Sequence, residues 1–223
     1  MEDVKTAVVL LSGGMDSAVT LYMAQKEYKY VCHVLIFNYG QKASKEMDFA
    51  RLLVEKTGSV FHKVNISLPW KGSSLIDDKI EVPKNIIDNG SGIPSTYVPA
   101  RNILFLSYGV SFAEAIGAEA VFIGAHQLDY SNYPDCRSEF FEAFQEAVNV
   151  GTKAGVEKKS VKIITPIINM TKKEIVQKGV QLGVPFENTW SCYLGDENPC
   201  MECESCKFRM QAFREAGIKD PLV

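Results

Sequence analysis

Two groups of residues in this sequence have types and spacings that could do chemistry, and the first is a glycine-rich turn. Ser12-Gly13-Gly14-Met15-Asp16-Ser17 directly follows a short apolar run and precedes a helical pattern. Glycines let a backbone turn tightly and approach a ligand. N–H groups at the start of a helix, together with the helix dipole, bind anions. We therefore predict a phosphate site in the segment called here the glycine–serine loop: Leu11, Ser12, Gly13, Gly14, Met15, Asp16, Ser17 and Ala18.

Three side chains of this loop could take part directly. The hydroxyls of Ser12 and Ser17 could bond to phosphate oxygens, and Asp16 could either orient the loop or hold Mg²⁺, which favours carboxylate and phosphate ligands. The turn lacks the Gly-Lys-Ser/Thr ending of a mononucleotide P-loop, and it does not match the dinucleotide glycine fingerprint.

The second group is a cluster of cysteines near the end of the chain. Of six cysteines, Cys32 and Cys136 stand alone, and four are close in sequence: Cys192, Cys200, Cys203 and Cys206. Clustered cysteines in a reducing compartment are more often metal ligands than disulfides. Four thiolates suit a tetrahedral Zn²⁺ and leave no position for a catalytic water, so we expect a structural zinc site. An iron–sulfur cluster also accepts four cysteines, and the spacing does not exclude one.

Strand and helix patterns alternate along the chain and indicate which elements position these groups. Short β-rich runs predict strands at 7–11, 30–37, 60–64, 120–123 and 162–165. Helical spacing predicts helices at 18–25, 44–56, 102–116 and 139–150, and a last helix runs through Phe213. Thr171 and Glu174 form a capping box that opens a helix ending near Leu182. The helix at 102–116 is apolar nearly all round, which is typical of a buried helix.

This alternation predicts an α/β fold with a doubly wound, parallel, five-stranded sheet. Ligands of such sheets bind beyond the carboxyl ends of the strands, beside the first strand, where the glycine–serine loop lies. Residues 68–96 hold several prolines and glycines and predict a long, functional or mobile loop. We expect a nucleotide-binding domain at 1–188 and a metal-binding tail with a terminal helix at 189–223.

Composition excludes several classes of protein. The 223 residues have a net charge of −3, which argues against a general nucleic-acid binder because such proteins usually carry a basic face. No apolar run is long enough to span a membrane. The first residues lack the pattern of a secretory signal peptide. We expect a cytoplasmic protein that contacts neither nucleic acid nor membrane directly.

Ser-Gly-Gly-x-Asp-Ser after a first strand resembles the PP-loop of the ATP pyrophosphatases, whose fold is adenine nucleotide alpha hydrolase-like. The resemblance implies that the loop binds the β,γ-phosphates of ATP while a substrate oxygen attacks the α-phosphate. Thr165-Pro166-Ile167 followed by Lys172-Lys173-Glu174 resembles the second motif of that group. By this resemblance Lys172 stabilises phosphate charge; a solvated lysine in a first helical turn is the alternative.

Four further segments resemble one family within this group, the 7-cyano-7-deazaguanine synthases. They are 39–41 (Tyr-Gly-Gln), 96–102 (Thr-Tyr-Val-Pro-Ala-Arg-Asn), 129–137 (Asp-Tyr-Ser-Asn-Tyr-Pro-Asp-Cys-Arg) and 189–192 (Thr-Trp-Ser-Cys). The resemblance covers almost the whole chain. It implies that 7-carboxy-7-deazaguanine and ammonia become the nitrile with two ATP, through an adenylated carboxylate and an adenylated amide. It also implies a homodimer, and free ammonium is the simplest nitrogen source.

Residues of these segments fit a guanine-like substrate. Carboxylates accept hydrogen bonds from base N–H groups, aromatic rings stack on a flat base, and guanidinium groups pair with carboxylate or phosphate. The candidates for these three roles are Asp129 and Asp135, Tyr130 and Tyr133, and Arg137 and Arg101 respectively. For each residue the alternative is an ordinary polar side chain of a surface turn. Family members often carry a small residue or glutamate before the Asp-Tyr/Phe pair, where this sequence reads His126-Gln127-Leu128. His126 is either a proton carrier or a packed or solvent-facing histidine.

Three other functions remain open from the sequence. A tRNA-modifying enzyme of the same loop group should show a basic face or an RNA-binding domain, and neither is visible. An enzyme that attaches a deazaguanine to a protein is a second alternative. The third is a non-catalytic, zinc-ribbon-like binding module with a degenerate nucleotide fold.

Overall fold

The computed structural model of the protein describes residues 5–43, 45–85, 92–126, 133–194 and 197–223. Its strands are β1 (Thr6–Leu10), β2 (Val31–Asn38), β3 (Val60–Asn65), β4 (Ala120–Ile123) and β5 (Lys162–Ile164). Its α-helices are α1 (Met15–Lys26), α2 (Lys45–Thr57), α3 (Arg101–Ile116), α4 (Ser138–Gly151), α5 (Lys153–Val156), α6 (Lys172–Leu182) and α7 (Glu204–Ala216). Each predicted strand is confirmed, with its ends shifted by at most one residue.

The five strands form one parallel sheet in the order β3-β2-β1-β4-β5. Ala7 of β1 is paired with Cys32 of β2 on one side and with Ala120 of β4 on the other. The strand order reverses between β1 and β4, and ligands of open α/β sheets bind at such a switch point. The predicted fold class is therefore confirmed, and the glycine–serine loop follows the strand that borders the switch point.

Helices cover both faces of the sheet because the strands are apolar on both sides. Val9, Val34 and Phe122 face one apolar cluster, which includes residues of α1, α2, α6 and α7. Val8 and Leu35 face the other, which includes residues of α3 and α4 and the four clustered cysteines. The last helix thus shares the core of the sheet. The division at 188/189 stays a prediction.

The helix α3 differs from its predicted environment. It buries one face through Leu106, Val110 and Ala113, but Ile103, Tyr108 and Ile116 are exposed. The prediction of a helix buried all round is wrong. One face packs on β1 and β4, and on the other face some of its apolar residues reach solvent. Apolar composition alone does not say which face the sheet covers.

The remaining predicted segments agree with the structure. Within 68–96, the described residues contain no helix and no regular strand, only an isolated bridge between Lys84 and Cys203. The capping box at Thr171 and Glu174 is present and opens α6. None of the helices in the described part of the chain is long and apolar enough to cross a membrane.

Candidate active site

A cleft opens beyond the carboxyl ends of β1 and β4. The glycine–serine loop contributes Leu11, Ser12, Gly14, Met15, Asp16 and Ser17 to its lining. Three other predicted site residues also line it: Lys172, Arg101 and Tyr133. The structure therefore brings together residues that are up to 161 positions apart in the sequence, from Leu11 to Lys172.

The backbone of the glycine–serine loop requires glycine at position 13. Gly13 has φ +90°, and a Cβ there would lie 2.1 Å from the carbonyl oxygen of Glu46. The carbonyl of Gly13 accepts a hydrogen bond from the N–H of Trp190 at 2.9 Å. The loop is thus held between α2 and the segment that leads to the cysteines. Gly13 itself does not line the cleft, so its role is to shape the turn.

The two serines of the loop are bonded to the loop itself. Their hydroxyl oxygens are 3.0 Å apart, and the Ser17 hydroxyl donates to the carbonyl of Gly14 at 3.0 Å. The N–H of Gly14 donates to the Ser12 hydroxyl at 3.1 Å. These bonds keep the turn in shape, so a phosphate contact from Ser17 requires its hydroxyl to leave Gly14.

Three residues of the predicted phosphate site are apolar and buried. Leu11, Met15 and Ala18 are almost completely buried. The N–H of Leu11 donates to the carbonyl of Leu35, and the N–H of Ala18 donates to the carbonyl of Gly14. These two N–H groups are occupied by backbone partners, so a nucleotide contact from Leu11 or Ala18 would use other atoms, and their place in the predicted site stays a prediction.

Asp16 lies between two basic side chains. Its Oδ2 accepts from the Lys172 ammonium at 2.6 Å and is 3.4 Å from Nε2 of His126. Burial raises the pKa of Asp16, but the charges and hydrogen bonds of Lys172 and His126 outweigh that effect and hold the pKa well below its usual range. Within the described residues, the other oxygen, Oδ1, is buried and has no hydrogen-bond partner.

Two local backbone features place Lys172 and His126 beside Asp16. Thr171 accepts from the N–H of Glu174, and the Glu174 carboxylate accepts from the N–H of Thr171, which fixes the first turn of α6 and places Lys172. A Cβ on Gly124 would be 3.0 Å from the backbone of Asp16, so β4 passes close to α1. His126 lies two residues after Gly124 in the chain, and this close approach places it next to the Asp16 carboxylate.

Arg101 enters the cleft from the start of α3. The preceding residue, Ala100, has the left-handed φ of 55°, and its N–H donates to the Tyr97 hydroxyl at 2.9 Å. Burial lowers the pKa of Arg101, but the nearby Tyr39 and Tyr133 raise it by more than burial lowers it. The net pKa is above the usual value, so the guanidinium stays charged. A fixed positive charge here could pair with a carboxylate or a phosphate.

Asp135 and Arg137 lie just before α4, and their predicted contacts with a substrate stay predictions. The Asp135 carboxylate is buried and accepts from the backbone N–H of Asn102 at 3.0 Å, while Asn102 donates to the carbonyl of Asp135. Neither Asp135 nor Arg137 lines the cleft, and Arg137 is exposed. Asp135 instead satisfies an N–H at the start of α3, where helix N–H groups lack partners. Asp129 and Tyr130 lie outside the described residues.

The cleft has a second end, called here the tyrosine end, formed by Tyr133, Tyr193 and Glu204. The Tyr133 hydroxyl is 2.7 Å from Oγ1 of Thr96. Burial is the main cause that raises the pKa of both tyrosines, and the nearby Glu204 raises it further. Glu204 is only 7% exposed. The tyrosine end thus combines flat rings with one acidic side chain.

Sequence reasoning missed several residues of this cleft. Tyr193 and Glu204 stand between metal-ligand candidates and were not considered for the substrate, and Glu46 is an ordinary helix residue in sequence. Burial raises the pKa of Glu46 to about 8, although Arg101 acts in the opposite direction. A short segment, Tyr39-Gly40-Gln41, did signal two further lining residues, Tyr39 and Gln41.

The four clustered cysteines form a compact group beside the tyrosine end. The sulfurs of Cys192, Cys200, Cys203 and Cys206 all lie within 4.8 Å of one another. Backbone N–H groups of Leu194 and Cys200 donate to the Cys192 sulfur. Hydrogen bonds from the Cys203 and Cys206 thiols hold the pKa of Cys192 well below its usual range. The donor set and its spacing fit a metal ion bound by four thiolates.

The parallel sheet, with a glycine-rich turn at its switch point, has the architecture of a nucleotide-binding α/β protein. The chain belongs to the QueC family: the model described as Queuosine biosynthesis protein QueC matches residues 6–217. The sequence resemblance to the deazaguanine synthases is therefore confirmed.

Individual relatives and one solved structure agree with this assignment. A 7-cyano-7-deazaguanine synthase from Nostoc punctiforme is 48% identical over 221 residues, which are 97% of this chain and 98% of the relative. One from Acetivibrio thermocellus is 48% identical over 218 residues, 98% of this chain and 97% of the relative. The structure of NMN synthetase from Francisella tularensis has a TM-score of 0.50 at 16% identity, covering 97% of this chain and 79% of that chain, and supports the fold alone.

Proposed function

We propose that this protein is an ATP-dependent 7-cyano-7-deazaguanine synthase of queuosine or archaeosine precursor synthesis. The observation that carries the proposal is the Asp16–Lys172 pair beside the glycine–serine loop, in one cleft with Arg101. Relatives of nearly equal length that bear this name support it. The enzyme acts on small molecules in the cytoplasm, without nucleic acid or membrane.

The proposed reaction activates one carbon centre twice. A carboxylate oxygen of 7-carboxy-7-deazaguanine attacks the α-phosphorus of ATP, and pyrophosphate leaves. Ammonia adds to the carbonyl carbon of this adenylate and loses a proton as AMP leaves, which gives the amide. The amide oxygen is adenylated by a second ATP, and loss of AMP and of the remaining nitrogen-bound protons forms the nitrile. Both activations are needed because oxide is a poor leaving group and AMP is a good one.

The loop side of the cleft supplies the groups for the phosphates. The N–H groups of the glycine–serine loop, with the N-terminus of α1, bind the β,γ-phosphates. Lys172 stabilises the charge that develops as pyrophosphate leaves. Arg101 pairs with the substrate carboxylate or the α-phosphate. Asp16 Oδ1, which is buried, suits Mg²⁺, and that ion would neutralise phosphate charge.

The tyrosine end supplies the groups for the base. Tyr133 and Tyr193 offer rings against which a flat deazaguanine packs, and the Glu204 carboxylate accepts from its amino and ring N–H groups. Asp135 stays the other candidate for this role, although its carboxylate accepts from the backbone N–H of Asn102. The Glu204→Gln variant should raise the KM for the base while leaving the KM for ATP within about threefold of wild type.

The cysteine group suits one structural Zn²⁺ per chain. A zinc held by Cys192, Cys200, Cys203 and Cys206 would tie the segment that carries Tyr193 to the start of α7. An iron–sulfur cluster would give the purified protein visible absorption and acid-labile sulfide, and elemental analysis separates the two. Zinc without iron supports the assignment.

The exposed apolar side chains of α3 favour a homodimer. Tyr108 and Ile116 of α3 and Val60 of β3 are exposed, and a second copy of the chain is the proposed cover. Sedimentation equilibrium should give twice the mass of 24.8 kDa. A Tyr108→Lys variant should shift the equilibrium towards the monomer.

The direct test is an incubation with 7-carboxy-7-deazaguanine, ammonium, ATP and Mg²⁺. Mass spectrometry should detect the nitrile, with two AMP and two pyrophosphate released for each nitrile. No AMP release under these conditions would overturn the proposal and leave the non-catalytic alternative. AMP release that needs a tRNA or a protein acceptor would instead support one of the other members of the loop group.

A further inference from the structure

Asp16 shares one carboxylate oxygen between two bases that come from different parts of the chain. Lys172 reaches Oδ2 from the first turn of α6, and His126 reaches the same atom from the segment after β4. All three side chains are largely buried, with exposures of 24% for Asp16, 15% for Lys172 and 11% for His126. The carboxylate is therefore held from two sides.

The contact with Lys172 and the contact with His126 differ in length. Lys172 is at 2.6 Å, a short charge-assisted bond, whereas Nε2 of His126 is at 3.4 Å, beyond the usual 2.7–3.2 Å of a strong N–H···O bond. Lys172 thus makes the shorter of these two contacts with Oδ2. The contact from His126 would strengthen if its Nε2 came within the usual range.

A bound triphosphate would compete with Asp16 for the Lys172 ammonium. The Lys172 ammonium that contacts Asp16 also lines the cleft beside the glycine–serine loop, and a triphosphate carries more negative charge than one carboxylate. If Lys172 turned to the phosphate with no replacement, Asp16 would lose its main partner beside a polyanion. Repulsion would then push its carboxylate away from the loop.

We propose that His126 is a positioning residue that keeps Asp16 in place when Lys172 transfers to the triphosphate. His126 Nε2 donates a shortened bond to Oδ2, so the Asp16 carboxylate keeps its orientation beside the loop. The close approach of Gly124 to the backbone of Asp16 anchors the His126 segment, so this replacement needs only a small shift of the ring. The inference rests on the proposed function only in its use of ATP, and not on the identity of the base.

Imidazole NMR tests the transfer in the wild-type protein. The chain has three histidines, and His33 and His62 bond to each other at 3.1 Å in a separate pair on the sheet, so they serve as internal references. The three signals are assigned from His33→Asn, His62→Asn and His126→Gln variants. Adding a non-hydrolysable ATP analogue with Mg²⁺ should move the Nε2–H signal of His126 downfield, with the other two unchanged.

A Lys172→Met variant supplies the matched second measurement. Without the lysine, the His126 signal should already lie downfield in the ligand-free protein, and the analogue should move it little further. If the loop amides of the wild-type protein respond to the analogue and the His126 signal does not, the inference is overturned. That result would leave the proposed function intact, because AMP release is measured separately.

Kinetics give a second, independent readout. His126→Phe removes the donor and should lower kcat for AMP release about tenfold, with the KM for ATP changed by less than about threefold. His126→Gln keeps an N–H donor and should recover most of the rate. A His126→Phe enzyme within about twofold of the wild-type kcat, or no recovery with Gln, contradicts a positioning role. The NMR arm uses the wild-type protein, so the test stands even if His126→Phe folds poorly.

Discussion

The two ends of the cleft are built in different ways. At the loop end, consecutive residues from Ser12 to Ser17 bond to one another, and the shape of the turn comes from backbone geometry. The tyrosine end is assembled from distant segments: Tyr133 precedes α4, Tyr193 lies among the cysteines and Glu204 begins α7. A local turn depends mainly on its own φ angles, whereas an assembled surface depends on every contact that brings its segments together.

This difference predicts that substitutions at one end of the cleft will impair binding of one substrate and leave binding of the other largely unchanged. Changes in the cysteine segment should affect binding of the base far more than binding of nucleotide, and changes in the turn should do the reverse. Variants that damage both ends equally would show that the cleft behaves as one unit.

The largest effect is expected from removal of a metal ligand. Cys203→Ser should reduce bound metal to well below one per chain and loosen the tyrosine end, because structural zinc contributes on the order of 10 kcal/mol to the folding of its segment. Nitrile formation should fall at least about 100-fold, while the Kd of an ATP analogue changes much less.

Cys32→Ala is the control for this variant. Cys32 is buried in the sheet and lies outside the metal group, so metal content and activity should be kept. A Cys203→Ser protein with full activity would contradict a structural role for the metal.

The next largest effect is expected from a substitution in the glycine–serine loop. Gly13→Ala places a Cβ against the Glu46 carbonyl and should destabilise the fold by roughly 3 kcal/mol or more and abolish detectable nucleotide binding. Gly58→Ala is a matched change, since Gly58 has φ +63° and nothing within 4 Å of its added Cβ. That control should cost only about 1–2 kcal/mol. Urea unfolding and calorimetric titration measure both; equal losses would mean that contact with α2 does not matter.

A smaller effect is expected when Lys172, the proposed partner of the phosphate charge, is replaced. Lys172→Ala should lower kcat/KM for AMP release about 100-fold, as is typical when one preorganised electrostatic group is removed. Lys173→Ala changes the neighbouring, exposed lysine of α6 and should remain within about twofold. Similar rates for the two variants would favour the alternative of a solvated lysine.

The smallest effect is expected in the pH dependence of stability. Burial raises the pKa of Glu46 from 4.5 to about 8, so the native state holds this proton more tightly than the unfolded chain does. Its contribution to stability is therefore complete below pH 4.5 and is lost as the pH rises towards 8. Chemical denaturation of metal-loaded protein at several pH values should show a flatter decline for Glu46→Gln than for wild type. Parallel curves would contradict the raised pKa.

The difference between local turns and surfaces assembled from distant segments also explains which regions could be predicted from the sequence. The strands, the capping box at Thr171 and the glycine–serine loop depend on neighbouring residues, and local patterns predicted them. The approach of His126 to Asp16 and the location of Glu204 beside Tyr133 depend on the packing of separate elements, which periodicity does not encode. Asp135 resembled a substrate ligand in sequence, but its carboxylate accepts from a helix N–H that only the fold brings near.

The exposed face of α3 has the same explanation. An apolar helix was predicted to be buried all round, and the structure buries only the side that meets β1 and β4. Sequence composition reports how much apolar surface a helix has, and the neighbours in the fold decide how much of it is covered.

The central claim, that a substrate oxygen attacks the α-phosphorus of a nucleotide held by the glycine–serine loop, can be tested with an isotope. 7-Carboxy-7-deazaguanine labelled with ¹⁸O in its carboxylate is incubated with ATP, Mg²⁺ and ammonium, and the products are separated for mass spectrometry. The account predicts ¹⁸O in AMP and none in pyrophosphate. Label in inorganic phosphate, with ADP as the nucleotide product, would contradict it.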